Sequence, residues 1–344
     1  MVHLHENVES EAGYSKYMQS AGTCTTLIII GGSTSKMLYQ TLCGAACTSK
    51  PLTNVEWYLV FTCAAVLLSQ LPNLNSIAGV SLLAALTAIA YCTLIWAVSV
   101  ARGSLPNVSY DRLRNGKQIA RIFDVLNALG IIAFAFRGHN HATMPSDETH
   151  PSRVPMWRGV KFAYILIATC LFPLAIGGYW AYGQLIPANG GMLTALYAYH
   201  SQDVARGVLG LISCCVIINA VTSFQIYGMP MFDDIQSIYT TKCKKECPFW
   251  LRAFIRTFFG FVCFFIAVAV PFLASFAGLI GGIALPVTFA YPCFMWLKVK
   301  KPKTYGPMWW MNWALGLMGM LLSVLLIVAG LYVVIDTGVT ISFF

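Results

Sequence analysis

The stretch GIIAFAFRGHN, residues 130–140, begins as an apolar run and ends in an arginine, a glycine, a histidine and an asparagine. Polar and ionisable groups at membrane depth are costly, and they mark a pathway or a partner. Arg137, His139 and Asn140 would then lie at the inner end of a helix broken around Gly138. Freed backbone groups and polar side chains there could line a substrate cavity. The competing reading is structural, with Arg137 snorkelling to the headgroups while His139 and Asn140 cap the helix end.

Other polar groups carry weaker signals. His139, His141 and His150 stand near Asp147 and Glu148, but their spacing is not that of a metal site, and no cofactor is expected. VTSFQIYGMPMFDD (221–234) puts Thr222, Ser223 and Gln225 inside an apolar segment, where hydroxyls and amides serve either a site or helix-to-helix bonding. GLIGGIALPVTFAYP (278–292) is interrupted by glycine and proline, which fits close packing or a bend. Most cysteines lie in apolar runs and act as small hydrophobes. Two pairs differ: Cys43 with Cys47, a candidate short-loop disulfide, and Cys243 with Cys247 in a basic loop. No G-x-S-x-G, H-E-x-x-H or Walker sequence occurs, so an enzyme is not expected.

The elements that must position these groups follow from composition. Hydrophobic residues make up 58% of the chain and charged residues only 10%, against about 25% charged in soluble domains; mean hydropathy is +0.68. Runs such as 76–100 and 313–335 exceed the ~20 residues that cross a bilayer as helix. The expectation is an all-α integral membrane protein with about nine transmembrane helices, near 20–42, 55–72, 76–101, 122–138, 159–183, 204–228, 252–275, 277–297 and 312–335. The first is the weakest, carrying hydroxyls, Gly31, Gly32 and Lys36, and is either a polar bundle-facing helix or a damaged span. Residues 1–19 read as a cytoplasmic N-terminal segment and 20–340 as the membrane domain.

The net charge of +9 is spread between the spans, which excludes a nucleic-acid face and leaves the bilayer as the charged loops' partner. Lysines and arginines concentrate at 137–161, 242–256 and 298–303, against fewer at 102–121 with Lys50 and Arg206. The positive-inside rule then puts the N-terminus in the cytoplasm and the C-terminus outside. The sequon at Asn107 and the Cys43/Cys47 pair fall outside on that topology.

The segments LPNLNSIAGVSLLAA, FAFRGHN, PMWRGV, SFQIYGMPMFD and FAYPCFMWLKVKKP occur in the order seen in the amino acid/auxin permease family. The chain resembles that family across nearly all of 20–340, and within it the plant lysine/histidine transporter-like branch. The resemblance implies an inverted-repeat fold of eleven spans with a broken sixth helix, here the one from 122, and secondary transport of amino acids with protons. It implies substrate contacts from Phe134, Phe136, Gly138, His139, Asn140, Ser223 and Gln225. It also makes His139, whose reference pKa is about 6.5, and Asp124 the proton-coupling candidates, each with a structural alternative. The plasma membrane is the expected residence.

Three departures from the family pattern stand beside this. The two opening helices have no counterpart, MVHLHE resembling only the end of the second; EAGYSKYMQSAGTC joins that end to the middle of the third; and Asn140 runs at once into HATMPS, without the family's intervening apolar residues and Glu. The alternative expectation is therefore a truncated, transport-inactive chain that works only with a complete partner.

Overall fold

A computed structural model describes residues 2–44, 52–70, 77–110, 118–135, 153–187, 190–269 and 273–337. Those residues form helices and short connections: α1 (Val2–Cys43), α2 (Asn54–Ser69), α3 (Ile77–Arg102), α4 (Gln118–Ala135), α5 (Arg153–Tyr182), α6 (Gly191–His200), α7 (Arg206–Cys243), α8 (Phe249–Ala269), α9 (Leu273–Leu285), α10 (Tyr291–Lys300) and α11 (Pro307–Thr337). This is an all-α integral membrane protein. Seven described helices are long and apolar enough to cross a bilayer, α9 and α10 counting as one continuous span (Phe276–Lys300). Two expected spans do not reach that mark. The apolar helix α2 has only 16 residues, and α1 is too rich in hydroxyls and glycine.

The polarity of α1 has a packing reason. Cys24, Thr25 and Ile28 are fully buried and Thr34 nearly so, so this helix faces protein and not lipid, which resolves the weakest of the expected spans as the bundle-facing alternative. Gly31 and Gly32 are seats for α2: a Cβ on Gly32 would stand 2.5 Å from the Tyr58 ring and 3.0 Å from its Cα, and one on Gly31 would enter the Phe61 ring. Lys36 is not stranded, because its Nζ donates to Asn54 Oδ1 at the start of α2 over 2.7 Å. There Thr53 and Glu56 close a reciprocal capping box.

The chain divides into two compact units. One contains residues 1–22, 115–160 and 274–340, and so α4, α9, α10 and α11. Its helices meet through glycine. A Cβ on Gly130 of α4 would lie 2.5 Å from the Gly278 carbonyl oxygen of α9, and one on Gly281 would run into the Gly130 carbonyl and stand 3.0 Å from the Phe134 nitrogen. On the other side of α9, Gly330 of α11 comes within 2.9 Å of Leu279 Cα by the same measure. Small residues let backbones approach where hydrocarbon supplies no hydrophobic drive between helices. The interruption at Pro286 alters the hydrogen-bond pattern of the helix as well. Residues Pro286–Ala290 form a π-turn, and proline lacks the N–H that would bond the Gly282 carbonyl four residues back. Ser323 of α11 supplies that bond, its Oγ donating to Gly282 O over 2.8 Å.

The other unit contains residues 23–114 and 161–273, with α2, α3, α6, α7, α8 and most of α5. Here α7 packs along α3, and α2 along α8. A Cβ at Gly260 would press into Val66. At one end Ile95, Leu196, Val204, Leu209 and Ile212 form a buried cluster under α6. The connection after α3 is tied to the end of α5: Leu105 N donates to Ala181 O over 3.2 Å, Gln184 N to Ser109 O over 3.4 Å, and Tyr110 Oη to Trp180 O over 2.7 Å. Gly183, at φ +47°, is needed there, because a Cβ would lie 2.9 Å from the Ser109 carbonyl.

The glycine seam makes a prediction. Gly281→Leu drives side-chain atoms against backbone that cannot swing aside, and costs about 1–3 kcal/mol. It lowers the melting temperature of the purified protein followed by tryptophan fluorescence. Gly159→Leu, at a position with open space within 4 Å, leaves it unchanged; equal melting of the two variants would refute the seam.

Candidate functional site

The residues expected at the site are described within each unit separately. Asp124 and Phe134 belong to α4 in the first unit, Ser223 and Gln225 to α7 in the second. Phe136, Arg137, Gly138, His139 and Asn140 lie outside the described residues, as do His141, Asp147, Glu148 and His150. Asp124 is exposed near the start of α4, and Phe134, the residue before its last, is half-buried. The backbone at Phe134 faces Gly281, so the part of α4 that leads into residues 136–140 is held close against α9.

On α7 the polar residues divide by face. Gln225 Nε2 donates to Ala65 O of α2 over 2.9 Å. Asn219 Nδ2 donates to Ala84 O of α3 over 2.8 Å. Thr222 turns back on its own helix, its hydroxyl reaching Ile218 O at 2.8 Å and Asn219 O at 3.0 Å, a common way to satisfy a hydroxyl in an apolar helix. Ser223 is half-buried. Being two positions from Gln225, it lies about 200° around the helix. Among the described residues Gln225 keeps its amide oxygen free for another partner.

Sequence reasoning passed over three groups. Asn127, one turn beyond Asp124 on α4, is buried with its Oδ1 lacking a hydrogen-bond partner. It was detectable as the one amide within the apolar part of α4, Gln118 standing at its first position. Asn219 was detectable in the same way, though not its partner. His200 closes α6, buried at 5% exposure, with Nδ1 3.7 Å from Asp203 Oδ2 and its ring 5.6 Å from that of Tyr182.

Cys43 is disulfide-bonded, and Cys47 lies outside the described residues. Cys243 and Cys247 are free thiols, the second buried. Asn107 sits exposed in a turn after α3. Among the described residues no group of three His, Cys, Asp or Glu side chains is placed to hold a metal ion.

Comparison with known proteins bears on this arrangement. The family described as transmembrane amino acid transporter protein matches residues 12–336. The chain belongs to this family. Among its Arabidopsis thaliana relatives, lysine histidine transporter-like 8 is 53% identical over 330 residues, covering 94% of this chain and 63% of its own length. Lysine histidine transporter-like 7 is 43% identical over 331 residues, covering 94% of this chain and 68% of itself. GABA transporter 1 is 24% identical over 291 residues, covering 82% and 64%. The chain thus spans under two thirds of the length of the first of these relatives. Transporters are not an enzymatic class, and the similarity holds along the described helices of both units.

The amides of α7 make a prediction for this transporter-family chain. Gln225→Leu leaves the Ala65 carbonyl without its donor and costs about 0.6 kcal/mol, the average for such bonds in membrane helices, and at most about 1.7 kcal/mol. Ser223→Ala removes no hydrogen bond to the described residues and leaves stability unchanged. Chemical denaturation of both variants checks the difference.

Proposed function

We propose that this chain moves amino acids across the plasma membrane by secondary active transport, coupled to protons. The observation that carries the reading is the 53% identity to lysine histidine transporter-like 8 along 94% of the chain. Amino acids and protons are then its mobile partners. The N-terminus lies in the cytoplasm and the C-terminus outside, as the distribution of lysine and arginine requires.

In this reading the substrate carboxylate meets exposed backbone N–H groups at a helix break, and the ammonium meets freed carbonyls. Gly138 permits the break, with His139 and Asn140 beside it. Phe134 of α4, with Phe136 just beyond it in sequence, and Ser223 and Gln225 of α7 are the side chains assigned to substrate contact. His139 carries the coupled proton, because imidazole titrates where an acid exterior and a neutral interior differ in charge state. Asp124 is the second proton candidate; its exposed position at the start of α4 suits exchange with the outer aqueous phase. Two features support the assignment of α7. Ser223 is half-buried on a side chain not spent on a described neighbour, and Gln225 retains a free amide oxygen after bonding Ala65.

Uptake of labelled neutral and basic amino acids into proteoliposomes tests the reading. Acid outside should accelerate uptake over equal pH. His139→Ala should abolish that acceleration while exchange of internal for external amino acid continues. Ser223→Ala should raise KM at unchanged stability. Uptake indifferent to the pH gradient, or a His139→Ala variant still fully acid-stimulated, would contradict proton coupling through this residue.

A further inference from the structure

Arg252 and Arg256 stand one turn apart on α8, and in both the Nε is closed off from solvent with no acceptor. Arg256 is held in place: its Nη1 donates to the carbonyl of Ser69 at the end of α2, and its guanidinium carbon stands 5.7 Å from the centre of the Phe232 ring. Asp233 of α7 lies within its electrostatic reach. Gln70, next to Ser69 and capping α2, adds an amide nitrogen that is also buried without an acceptor. One corner of the second unit thus holds three buried N–H donor groups and two like charges, of which Asp233 offsets only the one at Arg256. Buried donors normally have partners, and like charges four residues apart repel. An anion among them would meet both needs, and the planar guanidinium fork suits the oxygens of a phosphate.

The surroundings identify where that phosphate comes from. Phe249 and Trp250 open α8 strongly exposed, as aromatic residues at the headgroup level do. With 1.5 Å of rise per residue, Arg252 lies about 3 Å and Arg256 about 9 Å deeper than Trp250. Phe254 and Phe258 are exposed on the same helix with their rings stacked at 6.1 Å, an apolar face for acyl chains. The end of α7 and the turn after it present Lys242, Lys244 and Lys245, all exposed. A basic cluster immediately outside a span attracts anionic lipid.

We propose that Arg252, Arg256 and Gln70 bind the phosphate headgroup of an anionic phospholipid in the leaflet that meets the α7–α8 turn, the inner leaflet on the expected topology. The exposed lysines draw the lipid to the site. The two guanidinium groups and the amide hold its phosphate where α2 ends and α8 begins, and so clamp those two helices together.

The test uses the purified protein in phosphatidylcholine nanodiscs, titrated with fluorescent phosphatidic acid. Binding should saturate. Arg252→Gln and Arg256→Gln should each weaken it about tenfold, the worth of one charge-assisted bond, and Arg252→Lys should restore part of the loss. Arg252→Gln removes no hydrogen bond among the described residues, so it keeps the fold even if Arg256→Gln, which loses the bond to Ser69, does not. Unchanged binding in Arg252→Gln would overturn the site, as would a loss seen only when Lys242, Lys244 and Lys245 are replaced by glutamine. Displacement of the lipid by inorganic phosphate at matching concentration would make free phosphate the occupant and overturn the lipid assignment.

Discussion

Hydrocarbon offers no water to an unpaired polar group, and this constraint orders the rest of the structure. Backbone groups must be satisfied inside the helices, and every exception needs a named partner. Pro286 removes one N–H from the α9–α10 span, and Ser323 answers it at the Gly282 carbonyl. Gln225 and Asn219 reach across to carbonyls of α2 and α3. The hydroxyls of Thr62, Thr87 and Thr222 return to their own helices. Where the constraint is unmet, as at Asn127, Arg252 and Arg256, the chain holds groups available for something other than itself.

The two units answer the same constraint by different means. The α4, α9 and α11 group relies on close backbone approach at Gly130, Gly278, Gly281, Gly282 and Gly330. The α2, α3, α7 and α8 group relies more on side chains donating to carbonyls of neighbouring helices, with Arg256 closing one end of α2. A seam of glycines constrains separation more than direction, whereas amide-to-carbonyl bonds constrain both. The helix that leads into residues 136–140 belongs to the first kind, and the helix carrying Ser223 and Gln225 to the second.

Because a lipid-facing helix must be apolar along its length, hydropathy was enough to reveal the membrane class and the seven described helices that can cross a bilayer, though it also counted α1 and α2 as spans. α5, whose apolar window is wholly unburied, is the plainest case. The same measure was weakest for α1, because its neighbours are protein, and Thr25 or Thr34 can be buried where lipid would exclude them. Partners across the bundle were not readable. Residue type shows that Gln225 or Asn219 wants a partner, but Ala65 and Ala84 are distant in sequence and carry no side-chain signal. The interruption around Pro286 was readable as packing or bending; the glycines give the close packing, and the proline coincides with a π-turn. Of the expected site, Phe134, Asp124, Ser223 and Gln225 can be followed into the structure, while Gly138, His139 and Asn140 lie outside the described residues.

The central claim is that this polypeptide itself recognises an amino acid through its zwitterionic backbone. Equilibrium binding of labelled L-amino acids to the purified chain by scintillation proximity tests it without requiring turnover. The account predicts saturable binding that unlabelled L-isomer displaces and D-isomer displaces far less well. It also predicts a rise in melting temperature with ligand, as preferential binding to the folded state requires. Absence of saturable binding by every proteinogenic amino acid, from protein that melts cooperatively, would contradict it.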